Sequence, residues 1–368
     1  MSDNLEQQHP EAETNYDSER AEAFLKRMTG VLNDGGLALM CSVGHQTGLF
    51  DTMASLPPST SELIAAQAGL NERYVREWLG SMVAGHIVEY EPEGRTYRLP
   101  PEHAAALTRS AGPDNMAFHM QYIPMLGNVE ADIIQSFRRG GGVPYSQYPR
   151  FQKLMAEDSA SLLDISLISE TLPLVPGLED RLRAGGVDVL DVACGSGHAI
   201  NLMAREFPSS RFTGADFSPI GIAAAEAEAR ELGLSNAQFK VQDVAELGVE
   251  AQFDVITAFD AIHDQARPRQ VLKAIYTALR SGGVFLMADI YASSNVQENI
   301  KHPLGPYLYT VSCMHCMTVS LALGGEGLGT MWGTQLATDL LHEAGFTAVE
   351  IKRQPSDVVD CYYVCTRE

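Results

Sequence analysis

The sequence predicts an α/β protein: a parallel sheet covered by helices in the C-terminal half, behind a smaller, mainly helical domain. Three observations carry this reading. Between residues 187 and 289, five short apolar runs rich in β-branched residues each close on an acid or a small-residue turn. Helical stretches separate them, which is the order that builds a parallel sheet with its ligand edge at the strand C-termini. Before residue 111 the order is instead three helices and a hairpin, the outline of a winged helix-turn-helix.

A chain of 368 residues is too long for one small core, so two domains are expected. The 45% apolar content suits a globular protein, and runs such as Leu37 to Met40 are far too short to span a bilayer. The opening Met-Ser-Asp-Asn-Leu-Glu-Gln-Gln lacks a basic lead and an apolar core, which points to a cytoplasmic protein without a secretory signal. A formal charge of −21 would repel a phosphate backbone, so nucleic acid is not an expected partner. The six cysteines show no regular framework and read as reduced thiols.

Residues 1–17, rich in Glu, Gln, Asp and Asn, read as a mobile acidic tail. Ser18 is the expected cap of a first helix, with Glu19 and Glu22 favourably placed in its first turn. Ala23, Phe24, Met28, Val31 and Leu32 recur at helical spacing, Gly35-Gly36 interrupts, and Leu37 to Val43 resumes. Thr60 or Ser61 caps the next helix and Gly69 ends it; Asn71 opens a third over Glu72 to Ala84. Ile87–Tyr90 and Thr96–Leu99 flank the turn of the wing. The would-be recognition helix mixes charges of both signs, and the wing carries Glu89, Glu91 and Glu93, so DNA binding is disfavoured.

Residues 111–180 form a helical linker after the 18–110 domain. Pro124 should break the helical pattern of Asp114 to Phe137. Tyr145, Tyr148, Phe151 and Met155 could roof a pocket.

Residues 181–368 make the sheet domain. Val187 to Val192 is a buried strand, followed by Ala193-Cys194-Gly195-Ser196-Gly197 and a helix from Ala199. Gly195 and Gly197 allow a tight turn and a close approach of ligand to backbone. A dinucleotide fingerprint would need a third small residue where Ile200 stands, and a Walker loop would need Gly-Lys-Ser/Thr. The remaining pattern, Asp-x-Ala-x-Gly-x-Gly, resembles the first motif of class I S-adenosylmethionine-dependent methyltransferases, which usually carry Gly at the position of Ala193. The second strand ends in Asp216 at the spacing where a carboxylate reaches a ribose diol. The third, Gln238 to Val244, ends in Asp243.

The resemblance implies a seven-stranded, Rossmann-like methyltransferase sheet with S-adenosyl-L-methionine as cofactor. It gives Asp243 the adenine amino group and the Val244 N–H the adenine ring; Asp191, Ala193, Gly195, Gly197, Phe217 and Phe259 complete the expected cofactor set. Ile262-His263-Asp264-Gln265 resembles the His-Asp-Trp segment of small-molecule O-methyltransferases, whose histidine is the usual base, with Gln265 replacing the Trp. The N-terminal winged helix ahead of the cofactor domain is similar to the dimerisation domain of that group, so a homodimer is implied.

His263 follows the fourth strand, Phe253 to Asp260, and is the leading candidate base. Asp260, His302 and His315 are further catalytic candidates, with Asp289 at the end of the fifth strand. Residues 291–333 form an ordered, Met-rich insertion that should act as a lid or substrate wall. Its Cys313-Met314-His315-Cys316 would need a second ligand pair to hold structural zinc; Cys361 and Cys365 lie on a strand, about 13 Å apart, so no metal site is expected. The function expected is transfer of a methyl group to O, S or N of a small molecule. The alternative is a ligand-responsive winged-helix regulator that uses the second domain as a sensor.

Overall fold

The computed structural model describes residues 16–368, so the expected acidic tail lies outside the described residues up to residue 15. The chain forms two compact units, one reaching Ala111 together with Asn115–Met120, the other formed by Gly112–Asp114 and Gln121–Glu368.

The first unit is a winged helix. Helix α1 (Ser18–Thr47) is capped by Asp17, whose side chain accepts from the Arg20 N–H at 3.0 Å, one residue earlier than the expected Ser18. It also runs unbroken through Gly35-Gly36. A Cβ at either position would meet nothing within 4 Å, so the glycines lie on an open face and cost only helix propensity, about 1 kcal/mol each. Helices α2 (Leu49–Ala54), α3 (Ser61–Ala68) and α4 (Glu72–Ala84) follow, with Thr60 and Asn71 as caps of α3 and α4. Strands β1 (Glu89–Glu91) and β2 (Thr96–Arg98) pair antiparallel as the wing. Phe50 and Trp78 meet edge to face at the core, and Gly44 lets them close, since a Cβ there would lie 2.6 Å from Phe50. The basic residues of α4 are matched by its own acids: Arg73 pairs with Glu77 and Arg76 with Glu72.

The pattern around Pro124 resolves into three short helices: Met116–His119 in the first unit, and Tyr122–Gly127 and Glu130–Arg139 in the second. The sheet strands are β3 (Asp188–Val192), β4 (Arg211–Asp216), β5 (Ala237–Val241), β6 (Phe253–Phe259), β7 (Leu279–Ile290), β8 (Ala348–Gln354) and β9 (Asp357–Thr366). They lie in the order β5-β4-β3-β6-β7-β9-β8, parallel except for β9, which is antiparallel to both neighbours. β5 ends earlier than expected, because Asp243 turns away to cap a 3-10 turn, accepting from the Ala245 N–H.

Period-two alternation divides the buried residues between the sheet faces. Leu190, Val192, Ile256, Ala258 and Met287 pack on one side against the helices Pro268–Ala278 and Gly333–Ala344. Val189, Val255 and Leu286 pack on the other against Ile200 and Met203 of helix His198–Glu206. Each such fully buried aliphatic contributes about 1.5–3 kcal/mol. The 291–333 insertion is ordered and includes helix Gly305–Val311, a single π-turn Ser312–Cys316 and helix Met317–Ala322. Among the described residues no single helix is long and apolar enough to cross a membrane.

Candidate active site

The chain builds β3, β4 and β5 outward, then returns to place β6 on the other side of β3. In open α/β sheets the crevice beyond the strand C-termini at such a reversal is where ligands bind. A cavity of about 220 Å³ opens there, lined in part by Ala193, Phe217, Asp243, Val244, Asp264 and Arg267.

The loop after β3 turns through three left-handed residues: Ala193 at φ 54°, Gly195 at 55° and Gly197 at 71°. At Gly197 a side chain is also excluded by packing, since a Cβ would lie 2.5 Å from Ala225 Cβ and from the Phe239 ring. At Gly195 a Cβ would meet nothing within 4 Å, which leaves the space over the loop free for a bound group. Ala193 pays for its conformation, about 1–2 kcal/mol for an L-residue. Ala193→Gly is therefore expected to stabilise the domain by about 1 kcal/mol, read as a higher Tm, after the entropy of the added glycine is subtracted.

Asp216 ends β4 with both carboxylate oxygens engaged: Oδ2 accepts from the Gly195 N–H at 2.9 Å and Oδ1 from the Ser218 N–H at 2.7 Å. It is nearly buried, and burial raises its pKa while the two backbone bonds lower it. Each oxygen retains a lone pair for a further donor. Asp191 is fully enclosed, accepts from the Thr257 hydroxyl at 2.6 Å, and is pushed up to about 7 by burial. It holds the strand pair from inside and does not line the cavity. Phe259 is half-buried at the end of β6 and packs on the sheet core. Asp243 lines the cavity, but its Oδ2 already accepts from Arg267 at 2.6 Å. Arg267 is a cavity residue that sequence reasoning missed; it follows the His263 segment with no spacing rule to mark it.

His198, first residue of its helix, bridges two carboxylates: Nδ1 lies 2.6 Å from Glu228 and Nε2 3.0 Å from Asp164. The Glu228 bond is the largest influence raising its pKa, burial opposing. A raised folded value means that this stabilisation is complete below the unfolded pKa and fades as pH rises through the folded one. His198→Gln should lower Tm by more at about pH 6 than at about pH 9, measured by calorimetry.

The turn after β6 begins at Asp260, itself left-handed at φ 49°, and carries His263 just before Asp264 and Gln265, which line the cavity. His263 is 4% exposed, and its Nδ1 lies 2.8 Å from Asp289 Oδ1 at the end of β7. The same oxygen accepts from the Ile290 N–H and from Trp332 Nε1, each at 2.9 Å. Gln265, which stands where the expected His-Asp-Trp segment would have its Trp, donates to the Ala261 carbonyl and lines the cavity. The Trp332–Asp289 bond comes from the far end of the insertion and had no local signal. Burial, the largest single influence, lowers the His263 pKa; the charge and hydrogen bond of Asp289 together with Cys316 outweigh it and hold the value well above that of a free imidazole. Asp260 is pushed up to about 7, by burial first and by the Asp289 charge next.

The insertion closes over this turn. His315 stacks on Phe151 at 4.0 Å between ring centres, with Tyr148 and Tyr145 edge-on, so the expected aromatic roof is assembled around it. Tyr148 donates to the Met314 carbonyl, and Tyr145 donates to Asp264 Oδ2 at 2.7 Å. Burial pushes His315 down to about 4, so it is neutral. His302 lies apart: its ring contacts the Tyr291 carbonyl and the Leu304 N–H within its own loop. The structure brings His263, Asp289, Asp260, Asp264 and His315 together and leaves His302 out.

Residues 35–109 match the model of the Rv2258c-like winged HTH domain, and residues 184–345 match that of a methyltransferase domain. Malonyl-[acyl-carrier protein] O-methyltransferase of Bacillus cereus is 26% identical over 185 residues, 47% of this chain and 62% of that protein. Ubiquinone biosynthesis O-methyltransferase of Pseudomonas savastanoi is 30% identical over 115 residues, 31% of this chain and 48% of that protein. The chain thus spans between about half and two thirds of these relatives. Mitomycin 7-O-methyltransferase MmcR shares the fold at a TM-score of 0.71 and 15% identity, covering 95% of this chain and all of that one (100%). Human N-acetylserotonin methyltransferase, in complex with S-adenosylmethionine, does so at 0.68 and 16%, covering 96% and 99%.

Proposed function

We propose that this chain, which carries a class I S-adenosylmethionine-dependent methyltransferase domain behind a winged-helix domain, moves a methyl group from S-adenosylmethionine to a small-molecule acceptor, with oxygen the favoured nucleophile. The observation that carries the reading is the buried His263–Asp289 pair, one residue from Asp264, which lines a cavity together with Ala193 of the glycine loop.

The cofactor supplies a methyl group already activated by its sulfonium, so transfer is an in-line displacement that asks the protein mainly for alignment. Asp216 fits the ribose diol, because both its oxygens are fixed by backbone N–H groups with lone pairs left over. The open space above Gly195 fits the adjoining chain of the cofactor. Phe217 and Val244 offer apolar surface to the adenine, and Asp243, fixed by Arg267, stands at its edge. The neutral form of His263, which the raised pKa confines to higher pH, takes at Nε2 the proton of an acceptor hydroxyl as the oxygen lone pair attacks the methyl carbon and the C–S bond breaks toward sulfur. Asp289 orients the ring and stabilises the imidazolium that results. Asp260 and His315 shape the chamber around the acceptor.

An acceptor screen tests the reading. Phenols, carboxylic acids, thiols and amines are incubated with labelled S-adenosylmethionine and the purified chain, and S-adenosylhomocysteine is quantified. Acceptor-dependent formation with an O-methylated product is expected; formation with none of the classes would overturn it.

A homodimer through the winged-helix unit belongs to the same reading. Phe24, Leu25, Met28, Val31 and Leu32 form a stripe on α1 that is 43–77% exposed, the kind of apolar face a monomer rarely presents. Phe24→Glu with Leu32→Glu should convert a dimer to a monomer in light scattering. A wild-type monomer would contradict the proposal.

A further inference from the structure

His263 Nε2 and Asp264 Oδ1, from the turn after β6, and Cys316 Sγ, from the insertion, lie within 4.8 Å of one another, with Nε2 and Oδ1 3.3 Å apart. That spacing suits neighbouring ligands of a tetrahedral ion with bonds of about 2.0–2.3 Å. Each of the first two donors is aimed by a partner on its far side. With Nδ1 donating to Asp289, loss of the Nε2 proton to an incoming ion leaves the ring's lone pair at Nε2; a carboxylate behind a histidine is the usual outer shell of a metal-bound imidazole. Tyr145 donates to Asp264 Oδ2 and leaves Oδ1, a buried oxygen without a hydrogen-bond partner, turned toward His263. Cys316 is 6% exposed and ends the π-turn of the insertion, a wide turn often found at functional sites. One imidazole, one thiol and one carboxylate oxygen form a donor set for a borderline cation such as Zn²⁺, and a poor one for Mg²⁺ or Ca²⁺, which want oxygen throughout. Three protein ligands leave a fourth position, and Asp264 lines the cavity onto which it would open.

We propose that His263, Asp264 and Cys316 form a zinc site with its open position facing the acceptor chamber, and that an ion bound there occupies the Nε2 lone pair needed to deprotonate the acceptor. Zinc is then an inhibitor of methyl transfer. The binding half stands without the proposed activity; only the inhibition rests on it.

The test uses untagged full-length protein, stripped with a chelator and titrated with Co²⁺ as an optical probe. The expected result is a near-ultraviolet thiolate-to-cobalt charge-transfer band that saturates at one equivalent and disappears when Zn²⁺ is added. Cys316→Ser should lose the band. Asp264→Asn should keep it while weakening cobalt binding about tenfold or more, and this variant serves if Cys316→Ser does not fold. Absence of the band at saturating Co²⁺, an undiminished band in Cys316→Ser, or unchanged affinity in Asp264→Asn would overturn the site. In a turnover assay, Zn²⁺ should inhibit the wild type, and Asp264→Asn should need about tenfold more. A normal band with uninhibited turnover would overturn the inhibition and remove Nε2 as proton acceptor, leaving the metal site standing.

Discussion

Replacing Asp216 with Ala is expected to weaken S-adenosylmethionine binding by a hundredfold or more. Two hydrogen bonds from ribose hydroxyls to a carboxylate are worth about 1.5–3 kcal/mol each, and both would be lost. Every 1.4 kcal/mol is about a factor of ten in affinity, so their combined loss exceeds two decades. A second effect adds to the first. The same carboxylate fixes the Gly195 and Ser218 N–H groups, so its removal loosens the loop that must lie close to the ligand. The fold should survive with Tm lowered by a few degrees, because the sheet on either side of β4 does not depend on this side chain. Calorimetric titration checks the affinity, and an unchanged value would remove Asp216 from the binding site.

His263→Ala should lower kcat by about 10²–10⁴, the usual contribution of a positioned base, while leaving the affinity for S-adenosylmethionine unchanged. The separation of effects follows from position. His263 lies in the turn after β6 with its ring against Asp289, whereas the residues proposed for the ribose and adenine, Asp216 and Asp243, stand at the end of β4 and after β5. Asp289→Asn should produce the same pattern in smaller measure, because the amide can still hold the ring but no longer stabilises its cation. An acceptor supplied already ionised should lose much less rate in His263→Ala than a protonated one. Equal losses for both would assign His263 to packing.

Much of this architecture is written locally. The strands are apolar runs of the right length with acids at their ends, and the glycine turn is visible in Gly195 and Gly197, both left-handed in the structure. Small errors have small physical causes. Asp17 and Ser18 are equally good caps, and the choice between them is a matter of one residue of helix register. Gly35-Gly36 does not break α1, because exposure makes glycine costly there without making it disruptive. The odd Ala193 and Gln265 are positions whose consequences needed three dimensions: the first is a strained left-handed alanine, and the second donates to the Ala261 carbonyl while Trp332, from the insertion, reaches Asp289.

What stayed illegible is whatever the 291–333 insertion does when it folds back. Its motif Cys313-Met314-His315-Cys316 reads as a ligand set in search of a second pair of cysteines. Cys361 and Cys365 are buried in β9, and the side chains that come within 4.8 Å of Cys316 Sγ include those of His263 and Asp264 on the turn after β6. His302 and His315 are equivalent as residues in a chain, yet one is held in its own loop and the other stacks on Phe151. Tyr145 reaching Asp264 and Arg267 fixing Asp243 likewise join segments that no periodicity connects.

Titration of the purified chain with S-adenosylhomocysteine in a calorimeter goes most directly to the centre of this account. Saturable binding at one molecule per chain, lost in Asp216→Ala and retained in His263→Ala, is the expected result. Heats that never saturate, or saturation that Asp216→Ala leaves untouched, would contradict it.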